Sequence, residues 1–131
     1  MMRWWTMSVL CAAVMLSVRL QGHHNFADIY FEADTIDIEG EVVEFQYKNP
    51  HSWIHIQAAD AFGTQKIYSG EWASVSRLER DGITKDFFKS GDRLRIWASP
   101  NRNPNDNRIR IKRIERRKDK WKWGGNRIET R

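Results

Sequence analysis

Four histidines carry most of the metal-binding potential of this sequence: His23, His24, His51 and His55. Two lie side by side near the start. If the chain begins at His23, one residue offers both a free amine and an imidazole to an ion, and His24 adds a second ring. His51 and His55 are four apart in a segment that alternates like a strand. That spacing puts both on one face with Cα atoms ~13 Å apart, too far to share one ion directly. One of them could complete a nitrogen-rich site with the N-terminus. Such a donor set with an open position suits copper(II), then zinc or nickel. Asp28 and Glu32 are close enough in sequence to support the ring nitrogens. A second constellation is aromatic. Asn49, Trp53, Trp72, Arg95 and Trp97 fall on or beside strands in the pattern of a stacking face for a small or polymeric ligand. A third is the basic run Arg108 to Lys122 with Trp121 and Trp123 beside it, a docking segment for anionic lipid or polymer.

These residues need elements to hold them. Arg3 followed by the apolar run Met7 to Leu16 reads as an export signal, with cleavage expected between Gly22 and His23. Arg19 interrupts the run below the ~20 residues of a span, so no stable membrane anchor is expected once the leader is cut. Leu10 before Cys11 is not the small residue a lipid-anchor signal needs. Cys11 is the single cysteine, so the mature chain would lack disulfides, thiolate sites and a Cys nucleophile. The leader's two arginines bring the formal charge from +5 to +3 for the mature chain. Asp28 to Glu44 holds seven acids and no base, and Arg108 to Lys122 holds nine bases and two acids. The plainest reading is solvated faces of neighbouring strands that pair with each other.

The mature part reads as β-β-β-α-β-β. Thr35 to Tyr47 alternates, with Ile36, Ile38 and Val42 on one face and Val43, Phe45 and Tyr47 after a slip of phase. Gly40 just before the slip predicts a bulge and a bend. Asn49-Pro50 marks a turn. His51 to Ala58 and Lys66 to Trp72 are strands, and Ser74 caps a short helix through Arg80 that Gly82 closes. Arg93 to Ala98 and Arg108 to Arg113 follow, separated by the polar loop 99–107. This order predicts a mainly β, five-stranded OB-like barrel with one short helix, preceded by the N-terminal signal helix. An open antiparallel sandwich is the alternative. The expected division is 1–22 signal peptide, 23–34 extended segment, 35–118 barrel, and 119–131 basic tail or hairpin. In the last, Gly124-Gly125 would suit a two-residue turn.

His23-His24-Asn25-Phe26, Asn49-Pro50-His51-Ser52-Trp53-Ile54, the Glu71, Ser74, Leu78 and Gly82 positions, and Lys89-Ser90-Gly91-Asp92 occur in that order. Together they resemble a family of small exported bacterial proteins known only as a domain of unknown function. Its pattern is His-His-Ser-Phe, then Asn-Pro-His-x-Trp-Ile, then Leu-x-x-Gly and a Pro-Gly-Asp turn. Asn25 and Ser90 depart from it. The resemblance implies an exported single domain and no reaction. No phosphate loop, His-Glu-x-x-His helix or Gly-x-Ser-x-Gly elbow occurs, so binding is expected rather than catalysis. Periplasmic or secreted location follows from the leader. Export counts against nucleic acid as the natural partner, leaving a small-molecule or metal ligand or an envelope protein. The competing reading is an accessory module of an envelope complex that uses the Trp53 face without metal.

Overall fold

A computed structural model describes residues 25–125. The signal-helix segment, His23 and His24 lie outside those residues. Helix α1 (Phe26–Ile29) leads into β1 (Ile36–Gln46), β2 (Trp53–Ala59) and β3 (Gln65–Glu71). Helix α2 (Val75–Arg80), β4 (Arg93–Pro100), β5 (Arg108–Arg116) and β6 (Trp121–Gly124) follow. The sheet runs β3-β2-β1-β4-β5-β6, and a parallel β3–β5 contact closes the first five strands into a barrel. All other pairings are antiparallel. This is the OB-like order expected from the sequence, closed rather than open.

Strand β1 is long because it serves both halves of the barrel. Gly40 pairs with Ala58 of β2 and with Leu94 of β4. A Cβ there would lie 2.8 Å from the Ala58 Cβ and run into the Gln57 carbonyl, so only glycine lets the strands approach. Between Val42 and Glu44 the register slips by one residue. The slip releases Val43 outward, 46% exposed, while Phe45 and Tyr47 return to pack on the core. Val43 therefore does not share a face with Phe45 and Tyr47, as strict alternation would have it. It is the extra residue of the bulge.

Inside, Ile38, Val42, Ile54, Ile56, Leu94, Ile96, Ile109 and Ile114 fill the barrel. Leu78 of α2 and Ile83 after it close one end. Helix α2 starts where Ser74 Oγ accepts from the Arg77 amide at 3.4 Å. It ends before Gly82, at φ +76°. At the same end, Phe45, Trp72, Phe87, Phe88, Trp121 and Trp123 form one aromatic cluster, with Phe45–Phe88 and Trp72–Trp123 centroids 5.4 and 5.1 Å apart. β6 delivers the last two rings. Its hairpin turns through Arg117–Lys120, with Lys120 at φ 57°, and not at Gly124-Gly125. Strand β5 shares one edge between two partners: Arg108–Arg110 pairs with β3 and Arg113–Arg116 with β6.

The segment before β1 is not wholly extended. Asn25 Oδ1 accepts from the Ala27 amide at 3.2 Å and caps the single turn of α1. Tyr30 then bridges to Asn101. Lys112 Nζ donates to the carbonyls of Glu32 and Asp34 at 2.8 and 2.7 Å and to Thr35 Oγ1 at 2.9 Å. Burial lowers the pKa of this ammonium. The N-terminal strap is thus tied to the barrel across the β3–β5 seam.

Candidate functional site

That seam assembles a compact polar centre. Glu71 ends β3, opposite Trp53 of β2 and Arg110 of β5. His51 sits just before β2, where Ser52 extends the ladder by exchanging backbone bonds with Trp72 and Ala73. This brings His51 Nδ1 to 2.7 Å from Glu71 Oε1. The other carboxylate oxygen, Oε2, accepts from the Tyr30 hydroxyl at 2.6 Å. Tyr30 is fully buried. Burial first, and the Glu71 carboxylate second, push its pKa far up and keep it a donor. A carboxylate can only accept, so Nδ1 of His51 carries the proton of that bond. In the neutral ring the lone pair is then on Nε2, for which no hydrogen bond occurs among the described residues.

Helix α1 lays Phe26 against this centre, 5.5 Å from the His51 ring and 6.3 Å from the Tyr30 ring. The Arg110 guanidinium stacks 3.6 Å above Phe26 and also pairs with Glu32. Between these groups and α2 lies a cleft of about 300 Å³, walled by Phe26, His51, Glu71, Ser74, Arg77, Arg110 and Trp123 over a floor of Trp72 and Ile111.

The other candidate residues are placed elsewhere. His55 Nδ1 faces Ser69 Oγ at 2.9 Å, and its Nε2 is buried without a partner. His51, just before β2, and His55, within it, thus have separate environments, in keeping with their spacing in the sequence. Asp28 Oδ1 accepts from Asn25 Nδ2 at 3.3 Å and Glu32 pairs with Arg110, so the carboxylate that orients a histidine is Glu71. Asn49 Oδ1 accepts from the Val75 amide at 3.1 Å and helps cap α2. Trp72, 5% exposed, belongs to the aromatic cluster. Trp97, 8% exposed, carries the guanidiniums of Arg95 and Arg113 over its ring, each 4.7 Å from the centroid. Arg95 also grips Asp37 with bonds of 2.6 and 2.9 Å. Trp53 remains half-buried on the outside of β2. The five residues therefore do not assemble one stacking face: Trp72 is inside, Trp97 is covered, and Asn49 is spent on a helix.

Among the described residues no cluster of three or more His, Cys, Asp or Glu stands ready for a metal. The model of a family of unknown function, DUF6152, matches residues 10–110. The chain belongs to this family. No curated protein and no solved structure matches it. The DUF6152 segment contains all four histidines together with Tyr30, Glu71 and Arg110, and stops before the β6 hairpin. Tyr30, Phe26 and Arg110 are the site residues that spacing arguments missed. Arg110 meets Glu71 across the β3–β5 closure, and Phe26 and Tyr30 arrive with the segment ahead of β1.

Proposed function

We propose that this DUF6152 protein is an exported, periplasmic or secreted binding protein that holds a transition-metal ion, copper(II) before zinc, at His51 with donors from His23 and His24. The supporting observation is the Glu71–His51 bond. A carboxylate on Nδ1 fixes the ring's tautomer and orientation and leaves Nε2 free, the usual support for a metal-binding imidazole. The Tyr30 hydroxyl in turn holds the carboxylate. One ring is not a site. Phe26, docked 5.5 Å from His51, is two positions after His24. An extended residue spans ~3.3–3.6 Å, so the nitrogens of His23 and His24 are within reach of His51. Export with cleavage before His23 would add the terminal amine. A strongly basic set of amine and imidazoles with one open position is copper(II) chemistry, with zinc next.

Native mass spectrometry of protein expressed with its own leader gives the start of the mature chain and any bound ion. Copper(II) titration followed by electron paramagnetic resonance then reads the donor set. One ion with nitrogen hyperfine structure is expected. Its affinity should fall at least tenfold in His51→Ala, and by orders of magnitude when one residue precedes His23. Affinity unchanged by both alterations overturns the proposal.

A further inference from the structure

The cleft beside His51 has a charge and a shape that no metal ion requires. We infer that it is a binding site for a small aromatic carboxylate, with Arg77 and Arg110 receiving the carboxylate and Phe26 and Trp123 enclosing the ring. The inference is independent of the metal reading and is tested on chelator-treated protein.

The acids around the cleft are already engaged. Glu71 spends both oxygens on His51 and Tyr30. Asp81 Oδ2 accepts from Arg77 Nε at 3.2 Å and from Trp123 Nε1 at 2.7 Å. Glu32 pairs with one terminal nitrogen of Arg110. Each guanidinium carries five N–H donors in a fixed fork. Among the described residues, the terminal nitrogens of Arg77 make no protein bond, and neither does the second terminal nitrogen of Arg110. The cleft thus keeps unspent donors, and Glu71, the carboxylate in its lining, has both oxygens bonded. Arg77 is held in place through its Nε, which leaves its two terminal nitrogens for a bidentate partner.

The apolar walls set the rest. Phe26 is pinned from above by Arg110, and Trp123 stands edge-on to Trp72 across the floor. The indole N–H of Trp72, a floor residue 5% exposed, has no acceptor among the described residues. About 300 Å³ accommodates a single substituted ring at the lower end of small-ligand pockets. A bare inorganic anion would leave Phe26 and Trp123 unused, and a neutral ring would leave the forks unused.

The full chain, stripped of metal, is titrated with benzoate and separately with benzamide, its neutral counterpart of the same shape, with acetate as the ring-less control. Proton–nitrogen correlation spectra report binding through the Trp123 indole and the Phe26 and His51 amides. Benzoate is expected to saturate with shifts confined to those groups. Benzamide and acetate should each bind about tenfold more weakly, a charge-assisted bond or a stacked ring being worth about that factor. Arg77→Gln, on an exposed side chain whose loss leaves α2 capped, should weaken benzoate about tenfold. Because Arg110→Gln also releases Phe26, Arg77→Gln is the deciding variant. Equal affinity for benzoate and benzamide, shifts outside the cleft, absence of saturation, or an Arg77→Gln protein that binds benzoate unchanged would each overturn the inference. None of these results bears on copper at His51, whose failure would appear only in the metal titration.

Discussion

Glu71 is the residue on which the centre turns, because two donors from different parts of the chain meet on one carboxylate. In Glu71→Gln the amide keeps one acceptor and replaces the other with a donor. Either His51 or Tyr30 then loses its partner, and the His51 tautomer is no longer imposed. Copper(II) affinity is expected to fall 10- to 100-fold, the usual cost of removing an orienting partner. Circular dichroism should be unchanged. Affinity that stays put would mean that Glu71 serves the seam alone. Tyr30→Phe is the complementary test. It removes the hydroxyl that donates at 2.6 Å and leaves a carboxylate oxygen unpaired at a largely buried position. A loss of about 1–3 kcal/mol in urea denaturation is expected, with a smaller loss of metal affinity. At this scale the sequence was half legible. His51 could be chosen from its type and its alternating segment. Its partners could not: Glu71 meets His51 through the register of β2 on β3, and Tyr30, 41 positions from Glu71, arrives with the segment ahead of β1. Trp97 was misjudged for a related reason. Strand parity correctly turns it outward, but nothing local tells that Arg95 and Arg113 will both lie over its ring.

The elements were easier to read, because their signals are local. Ser74 and Gly82 bound α2, and Gly40 with the phase slip marks the bend of β1. Gly40→Ala would drive a methyl into the Gln57 carbonyl and the Ala58 Cβ. Overpacking of this kind costs about 1–3 kcal/mol, to be read as a lower urea midpoint at constant slope. The terminal hairpin shows where local reasoning stops. A Gly pair is good turn chemistry, but the chain turns earlier, at Arg117–Lys120. There Asp119 accepts from both Arg116 and the Trp121 amide, and Trp121 and Trp123 then reach the cluster at the α2 end. Packing overrides the turn preference, and Gly124 closes instead against the Lys112 carbonyl of β5. Trp123→Phe keeps a ring beside Trp72 and forfeits the 2.7 Å bond to Asp81. About 1 kcal/mol is expected from that bond, against about 2–3 kcal/mol for Trp123→Ala, in which a half-buried ring is lost as well. Equal losses would show that the ring contributes nothing beyond its hydrogen bond.

On the whole molecule, the separation of charge along the sequence is converted into pairing across the barrel. The acids of the N-terminal third and of β1 meet arginines of β4, β5 and the β5–β6 turn: Glu32 with Arg110, Asp37 with Arg95, and Glu39 with both Arg93 and Arg117. The hydrogen bonds from Arg117 and then Arg93 hold the Glu39 carboxyl down at about 2, against an ordinary 4.5. A carboxyl depressed in the folded state contributes stability that is complete above its unfolded value and is lost as pH falls toward 2. Thermal denaturation should therefore show a Tm decrement between pH 5 and pH 2.5 that shrinks in Glu39→Gln. Because the pair is partly exposed, added salt should reduce it too. The same pairing bears on the basic run of Arg108 to Lys122. Arg108 is held by Asp106, Arg116 by Asp119, Arg117 by Glu39 and Glu115, and Lys118 by Asp92. Trp121 and Trp123, which would have to enter a lipid surface, are packed on Phe87 and Trp72. A segment so neutralised and so docked should not hold the protein on anionic vesicles at about 150 mM salt, where the Debye length is ~8 Å. Sedimentation with phosphatidylglycerol vesicles should leave it in the supernatant, with at most salt-sensitive binding below that strength. Binding that survives high salt and blue-shifts the tryptophan emission would mean that β6 leaves β5 to present its two indoles. The aromatic cluster would then be a spring-loaded cover of the α2 end rather than its permanent seal.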